Sequence, residues 1–271
     1  MTDTAADASP AATLQVIGGG KMGLALVGGL LASGWAEESA IVVVEALESQ
    51  RAAIAEQFPA AVVREQPVAG VDTLLALKPW LTVEVAATLE APGRVMSVAA
   101  GVTIAALEAV LPAGTPVIRV MPNTPALVGA GASAIAGGHS ASSADIEWAT
   151  GLLSSVGVVE VVSEKQLDAV TGLSGSGPAY VFLVAEALTD AGVRVGLTRA
   201  TAERLANQTI LGAGAMLAAG DESAAELRAG VTTPGGTTAA GLGELERHAL
   251  RAAFQDAVIA ATTRSEELGR S

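Results

Sequence analysis

Gly18-Gly19-Gly20-Lys21-Met22-Gly23 fits the spacing G-x-G-x-x-G, between the β-branched run Leu14-Gln15-Val16-Ile17 and a helical stretch opening near Met22. Glycines so placed let a strand turn tightly into a helix and bring backbone N–H groups up to a pyrophosphate, whose charge the helix N-terminus meets. Gly18, Gly19, Gly20, Lys21, Met22 and Gly23 are therefore candidate dinucleotide ligands; the plain alternative is an ordinary tight turn. An acid about twenty residues further on would bond a ribose 2′-hydroxyl and repel a 2′-phosphate. Glu45, directly after Ile41-Val42-Val43-Val44, holds that position; its bland reading is a solvated strand-end carboxylate. Lys21 and Arg51 are cations that could answer a 2′-phosphate, so the choice between NADH and NADPH stays open on these residues.

Pro234-Gly235-Gly236-Thr237-Thr238 reads as a turn that opens a helix, and such a turn offers free N–H groups to an anion. Thr238 has two readings, a hydroxyl offered to a bound molecule or a helix N-cap worth about 1 kcal/mol. Lys78 before Pro79 is either an exposed turn lysine or a ligand contact. His139 and His248 are the only histidines and read as surface or structural residues; no His/Asp cluster is present and no metal is expected. With no cysteine, the chain has no disulfide, thiolate zinc site or cysteine nucleophile, which suits a cytoplasmic location. Redox chemistry would need a borrowed cofactor.

The elements that must hold these residues fall into two halves. Strand candidates Leu14 to Ile17, Ile41 to Val44, Val62-Val63, Thr73 to Leu77, Val95 to Val98, Val117 to Val120, Ala132 to Ala136 and Val158 to Val162 are apolar along their length. They alternate with helical stretches such as Leu24 to Ser33 and Ser49 to Gln57, the pattern of a parallel sheet buried on both faces. The expectation is an α/β Rossmann-type doubly wound domain over residues 13–163, then an all-α domain over 164–271. Candidate helices there run from Glu164 to Ala191, Arg199 to Ala219, Ala224 to Gly230, Thr238 to Arg247 and Ala249 to Leu268, with Gly192, Gly196 and Gly220 as stops. Gly172, Gly175, Gly177 and Pro178 ought to bend or break the first. Tyr180, the sole tyrosine, is expected in the core. More apolar surface is present than a lone bundle buries, which predicts an obligate dimer through this half.

Asp+Glu 28 against Lys+Arg 15 gives a formal charge of -13, which repels phosphate backbones and makes nucleic acid a poor partner. Residues 1–12 carry no basic n-region and read as a disordered tail. Every apolar run is cut by glycine, proline or charge before it reaches a membrane span, so no membrane partner is expected.

Further segments resemble those of the pyrroline-5-carboxylate reductase family. Ala76-Leu77-Lys78-Pro79 is similar to its A-V-K-P turn, Ala99-Ala100-Gly101 to its A-A-G turn, and Arg119-Val120-Met121-Pro122-Asn123-Thr124-Pro125 to its M-P-N-T-P loop. Gly172-Leu173-Ser174-Gly175-Ser176-Gly177-Pro178-Ala179-Tyr180 and Thr232-Thr233-Pro234-Gly235-Gly236-Thr237-Thr238 resemble its two longest signatures. The likeness runs in order from Leu14 to about Leu268. Lys21 stands where the family usually has Asn, Thr233 where it has Ser, and Glu45-Ala46 where NADPH-preferring members place a small polar residue and Arg.

The resemblance implies reduction of 1-pyrroline-5-carboxylate to L-proline by NADPH or NADH, without a metal, in a dimer that builds each active site between domains of two subunits and assembles further, often to a decamer. It implies that Ala76, Leu77, Lys78, Pro79, Ala99, Ala100 and Gly101 line the cofactor groove and that Pro122 and Asn123 hold its nicotinamide end. Thr233, Gly235, Gly236, Thr237, Thr238 and Ser174 would bind substrate, with Thr238 catalytic beside the ring nitrogen. Two other readings compete with this one. A β-hydroxyacid dehydrogenase would need a lysine within the helical half, where Lys165 is the only lysine after Lys78. A non-catalytic dinucleotide sensor would leave the Thr233 to Thr238 turn unexplained.

Overall fold

The β-branched and apolar runs of the first half do not spread over several layers; they line up as one eight-stranded sheet in a computed structural model that describes residues 13–270. The tail expected at 1–12 lies outside the described residues. In chain order the first half gives β1 (Leu14–Ile17), α1 (Lys21–Ala32), β2 (Ile41–Val44), α2 (Glu48–Gln57), β3 (Val62–Arg64) and β4 (Asp72–Leu75). It continues through α3 (Pro79–Ala86), β5 (Val95–Ser97), α4 (Ile104–Glu108), β6 (Val117–Met121), β7 (Gly131–Gly137), α5 (Ser143–Leu153) and β8 (Gly157–Val161).

The sheet order is β3-β2-β1-β4-β5-β6-β7-β8, and from β3 to β6 all pairs are parallel. The order reverses between β1 and β4, and the crevice beyond the carboxyl ends of strands at such a reversal is where doubly wound sheets bind ligands. Two expectations need correcting. β7 runs antiparallel to β6, because the connection through the 3₁₀ turn Thr124–Val128 is too short for a crossover. Burial on both faces holds for β1 and β2, every residue of which is buried, but not for β8, whose Val158 and Val161 are exposed at the sheet edge.

Several polar side chains lie deep within the sheet, Gln15 among them. Gln15 on β1 donates to the Val68 carbonyl at 2.8 Å and to the Thr73 hydroxyl at 2.9 Å, and accepts the Val68 N–H at 2.8 Å. Fully hydrogen-bonded, it costs little to bury and fixes the β1–β4 register.

The second half is helical: α6 (Leu167–Val170), a π-helical turn Thr171–Gly175, α7 (Gly177–Arg194), α8 (Arg199–Ala219), α9 (Ala224–Gly230), α10 (Thr237–Arg247) and α11 (Leu250–Arg270). The break expected at Gly172 to Pro178 is therefore a wide turn followed by a new helix with Pro178 in its first turn. Gly192 is no stop, since α7 runs on to Arg194 and Gly196 (φ +104°) ends it. A Cβ at Gly192 would stand 2.9 Å from the Cβ of Ala202, so the glycine serves close α7–α8 packing instead.

Two compact units are present, residues 13–175 with 261–270, and residues 176–260. In the second, only Thr189, Ala202 and Ala206 are buried, while Phe182, Leu183, Leu211 and Ile259 are more than 60% exposed. Tyr180 is half-buried in the single chain, so it is not the core residue expected. Among the described residues no helix is long and apolar enough to cross a membrane.

Candidate active site

The carboxyl ends of β1, β2, β4 and β5 are level, with Ile17 opposite Val44 and Leu75, and Leu75 opposite Ser97. Hydrogen bonds between neighbouring strands carry this order into the loops: Gly18 N–H to Val44 O at 2.8 Å, Ala76 N–H to Ile17 O at 2.9 Å, and Val98 N–H to Leu75 O at 3.1 Å. Gly18, Glu45, Ala76 and Ala99 thus emerge side by side along one edge.

At the glycine turn Gly18 has φ +110°, and a Cβ there would lie 2.5 Å from the Ala76 carbonyl oxygen, so only glycine fits. Nothing approaches the outer face of Gly20 within 4 Å. Gly20 is the N-cap of α1 and supplies no side-chain cap, which leaves the N–H groups of Gly20, Lys21 and Met22 without an acceptor among the described residues. Glu45 bends back over the turn, its Oε2 accepting the Gly19 N–H at 3.0 Å and its Oε1 the Leu47 N–H at 3.0 Å.

Lys78 is the exposed N-cap of α3, Pro79 is in the first turn, and the Thr82 hydroxyl donates to the Lys78 carbonyl at 3.0 Å. Ala99 is buried, Ala100 exposed, and Gly101 has φ +76°. A Cβ on Gly101 would lie 3.5 Å from the Leu268 carbonyl, which the end of α11 brings over this turn. Pro122 and Asn123 follow β6 and are buried. The amide of Asn123 accepts the Ala132 N–H at 2.9 Å and donates to the Ser174 carbonyl at 3.1 Å, tying the loop to β7 and to the π-helical turn. The Ser174 hydroxyl itself donates to the Val170 carbonyl at 3.2 Å.

In the other unit, Gly235 (φ +71°) turns the chain and Gly236, not Thr238, is the N-cap of α10. Thr237 and Thr238 occupy the first helical turn, which removes the N-cap reading of Thr238. A Cβ at Gly236 would strike the Thr233 hydroxyl, so that side chain folds over the turn. The hydroxyls of Thr233, Thr237 and Thr238 and the N–H groups of Thr237 and Thr238 have no partner among the described residues.

Two features escaped the sequence reading. Arg119, 7% exposed in β6, pairs with Glu164 at 3.0 Å, and Glu164 also accepts the Ile104 N–H at 2.7 Å, anchoring α4 just beyond Gly101. An arginine inside an apolar strand was the available signal, because such a charge demands a partner. The Ser265 hydroxyl donates to Asp168 at 2.6 Å across 97 residues of sequence, a pairing no local pattern announces. Cavities of about 380 Å³ between α7 and α8 and about 560 Å³ beside α1 hold, of the candidate residues, only Lys21.

Comparison with known proteins decides the family. The model for pyrroline-5-carboxylate reductase dimerisation matches residues 164–268, and one for NADP oxidoreductase, coenzyme F420-dependent, matches residues 13–101. The pyrroline-5-carboxylate reductase of Mycobacterium tuberculosis is 44% identical over 286 residues, covering 95% of this chain and 97% of its own. That of Corynebacterium melassecola is 42% identical over 268 residues, covering 95% and 99%. This chain belongs to the pyrroline-5-carboxylate reductase family. Its fold and oxidoreductase class stand with that membership, and the β-hydroxyacid dehydrogenase alternative falls. Among solved structures, the family member from Coxiella burnetii superposes with TM-score 0.89 at 35% identity, over 96% of this chain and 99% of that one. One from Plasmodium falciparum with NADP bound gives 0.78 at 28%, over 95% and 98%.

Proposed function

We propose that this chain reduces the C=N bond of 1-pyrroline-5-carboxylate to give L-proline, using NADPH or NADH, and that it works in the cytoplasm as a homodimer able to assemble further, as into a decamer. The observation that carries the reading is the opening of α10, an uncapped helix N-terminus ringed by the unpartnered hydroxyls of Thr233, Thr237 and Thr238. An N-terminus so exposed favours a carboxylate through its dipole and its free N–H groups.

The residues at the sheet edge fit a dinucleotide. A glycine at φ +110° beside the Ala76 carbonyl, open space over Gly20 and free N–H groups at the start of α1 make a cradle that a Cβ would fill. When bound there, the reduced nicotinamide supplies the hydride. Gly18 to Gly23, Ala76 to Pro79 and Ala99 to Gly101 would hold the dinucleotide, and Asn123 would keep Pro122 and its loop in place.

At the imine, the substrate carboxylate sits against the N–H groups of Thr237 and Thr238, with Gly235 and Gly236 keeping the approach open. The Thr238 hydroxyl bonds the ring nitrogen and orients it. A threonine is too weak an acid to protonate an imine, so the substrate reacts as its iminium; hydride adds to carbon, the C=N π pair falls to nitrogen, and the N–H stays. Positioning then dominates the rate, a term worth about 7–11 kcal/mol when reacting atoms are held in contact. The apolar faces of α7 and α8 support the dimer, since Phe182 and Leu211 are largely exposed among the described residues.

The experiment supplies 1-pyrroline-5-carboxylate with each reduced dinucleotide and measures dinucleotide oxidised against proline formed. Equal amounts support the reading. Tight dinucleotide binding with no oxidation would replace it with a sensor.

A further inference from the structure

We infer that this chain selects NADH over NADPH, with Glu45 as the specificity-determining residue; the inference rests on the dinucleotide reading of the glycine turn. Both oxygens of Glu45 are engaged, Oε2 by the Gly19 N–H and Oε1 by the Leu47 N–H, each at 3.0 Å. The carboxylate is therefore held directly above the turn rather than swinging in solvent. A carboxylate oxygen accepts more than one hydrogen bond, so both retain capacity for a ribose diol. A second anion at the same place meets an ionised group that two hydrogen bonds prevent from retreating.

Arg51, a cation that could offset this charge, is held by backbone carbonyls of the same loop and by Glu65. Arg51 Nη1 donates to the carbonyls of Glu45 at 2.9 Å and Ala46 at 2.6 Å, and Nη2 stands 3.8 Å from Glu65. Its guanidinium thus braces the loop after β2, with the side chain only 22% exposed. Arg64 is exposed at the end of β3, one strand further from Gly19 and level with Val44, so Glu45 lies between it and the turn. Lys21 is exposed in the first turn of α1, where it lines the cavity beside that helix with Leu24 and Leu127.

The test measures Kd for NADH and NADPH by direct titration calorimetry, and kcat/KM for each, in the full-length wild type and in Glu45→Gln and Arg64→Ala. The wild type should bind NADH about tenfold or more tighter than NADPH. Glu45→Gln keeps the shape and one oxygen acceptor but removes the charge, and should bring the two Kd values within about threefold, mainly by tighter NADPH binding. Arg64→Ala should leave the ratio unchanged. A wild type that binds NADPH as well as or better than NADH, a ratio unmoved by Glu45→Gln in a variant of wild-type melting temperature, or a ratio that moves with Arg64→Ala would overturn the inference. Absence of binding by either dinucleotide would remove the reductase reading itself, an outcome distinct from a reversed preference.

Discussion

The side-chain amide of Asn123 donates to the carbonyl of Ser174 at 3.1 Å, while its oxygen accepts the N–H of Ala132. One buried side chain thus fixes the loop after β6 and the π-helical turn as a single body. Asn123→Ala leaves a partly buried N–H and a carbonyl unpaired, so it should cost about 1–3 kcal/mol in urea unfolding and lower kcat/KM. An Asn123→Ala protein of wild-type stability would show that water replaces the bridge.

Thr238 does not cap its helix; Gly236 does. Removing the hydroxyl should therefore spare stability and spoil turnover. Thr238→Ala is expected to lower kcat by about 100-fold with stability within about 0.5 kcal/mol of wild type, and Thr238→Ser to recover most of the rate. Steady-state kinetics beside thermal melts separate the roles, and unchanged turnover in Thr238→Ala would remove the hydroxyl from the mechanism.

At the opposite edge of the sheet, Arg94 joins α5 to β4: Nε to Asp145 on α5 at 2.7 Å, Nη1 to Asp72 on β4 at 2.9 Å, and its own guanidinium 5.1 Å over the ring of Trp148, also on α5. Burial pushes the Asp145 carboxyl up, but the Ser142 hydroxyl, Arg94 and the Ser142 N–H together bring it below its ordinary value. A carboxyl whose folded pKa is depressed stabilises fully above its unfolded value of about 4 and loses that contribution as pH falls through the folded value. Stability should decline on acidification below about pH 4, and Asp145→Asn should flatten that limb while costing about 1.5–3 kcal/mol at neutral pH. Urea midpoints across the acid range check both.

The hydrogen bond from Ser265 to Asp168 fastens the end of α11 to the first unit, beside the contact of Leu268 with Gly101. Ser265→Ala should cost about 1 kcal/mol and raise amide exchange over residues 261–270 more than within β1 or β4. Uniform exchange throughout would show that no local fastening exists.

How much of this was legible in the sequence follows from the range of the forces involved. The glycine turn, the strand runs and the boundaries of α8 and α9 are written locally, in periodicity and in Gly220 (φ +77°) as a stop. The reversal at β7 was hidden because an apolar run carries no direction, and Gly192 was misread because its reason, Ala202, lies across a helix pair. Thr238 lost its capping role by two residues, a margin finer than periodicity resolves. Glu45 was visible as an acid at the right distance, but that Arg51 binds the backbone carbonyls of Glu45 and Ala46 is a fact of side-chain geometry alone.

Hydride transfer from a nicotinamide to the imine carbon is the step most open to a direct test. Reduced dinucleotide deuterated at the nicotinamide C4, on each face in turn, should be supplied with 1-pyrroline-5-carboxylate and the product read by mass spectrometry and NMR. Deuterium carried from one face to the former imine carbon of proline is the predicted result; proline without label from either face, or no proline at all, would contradict it.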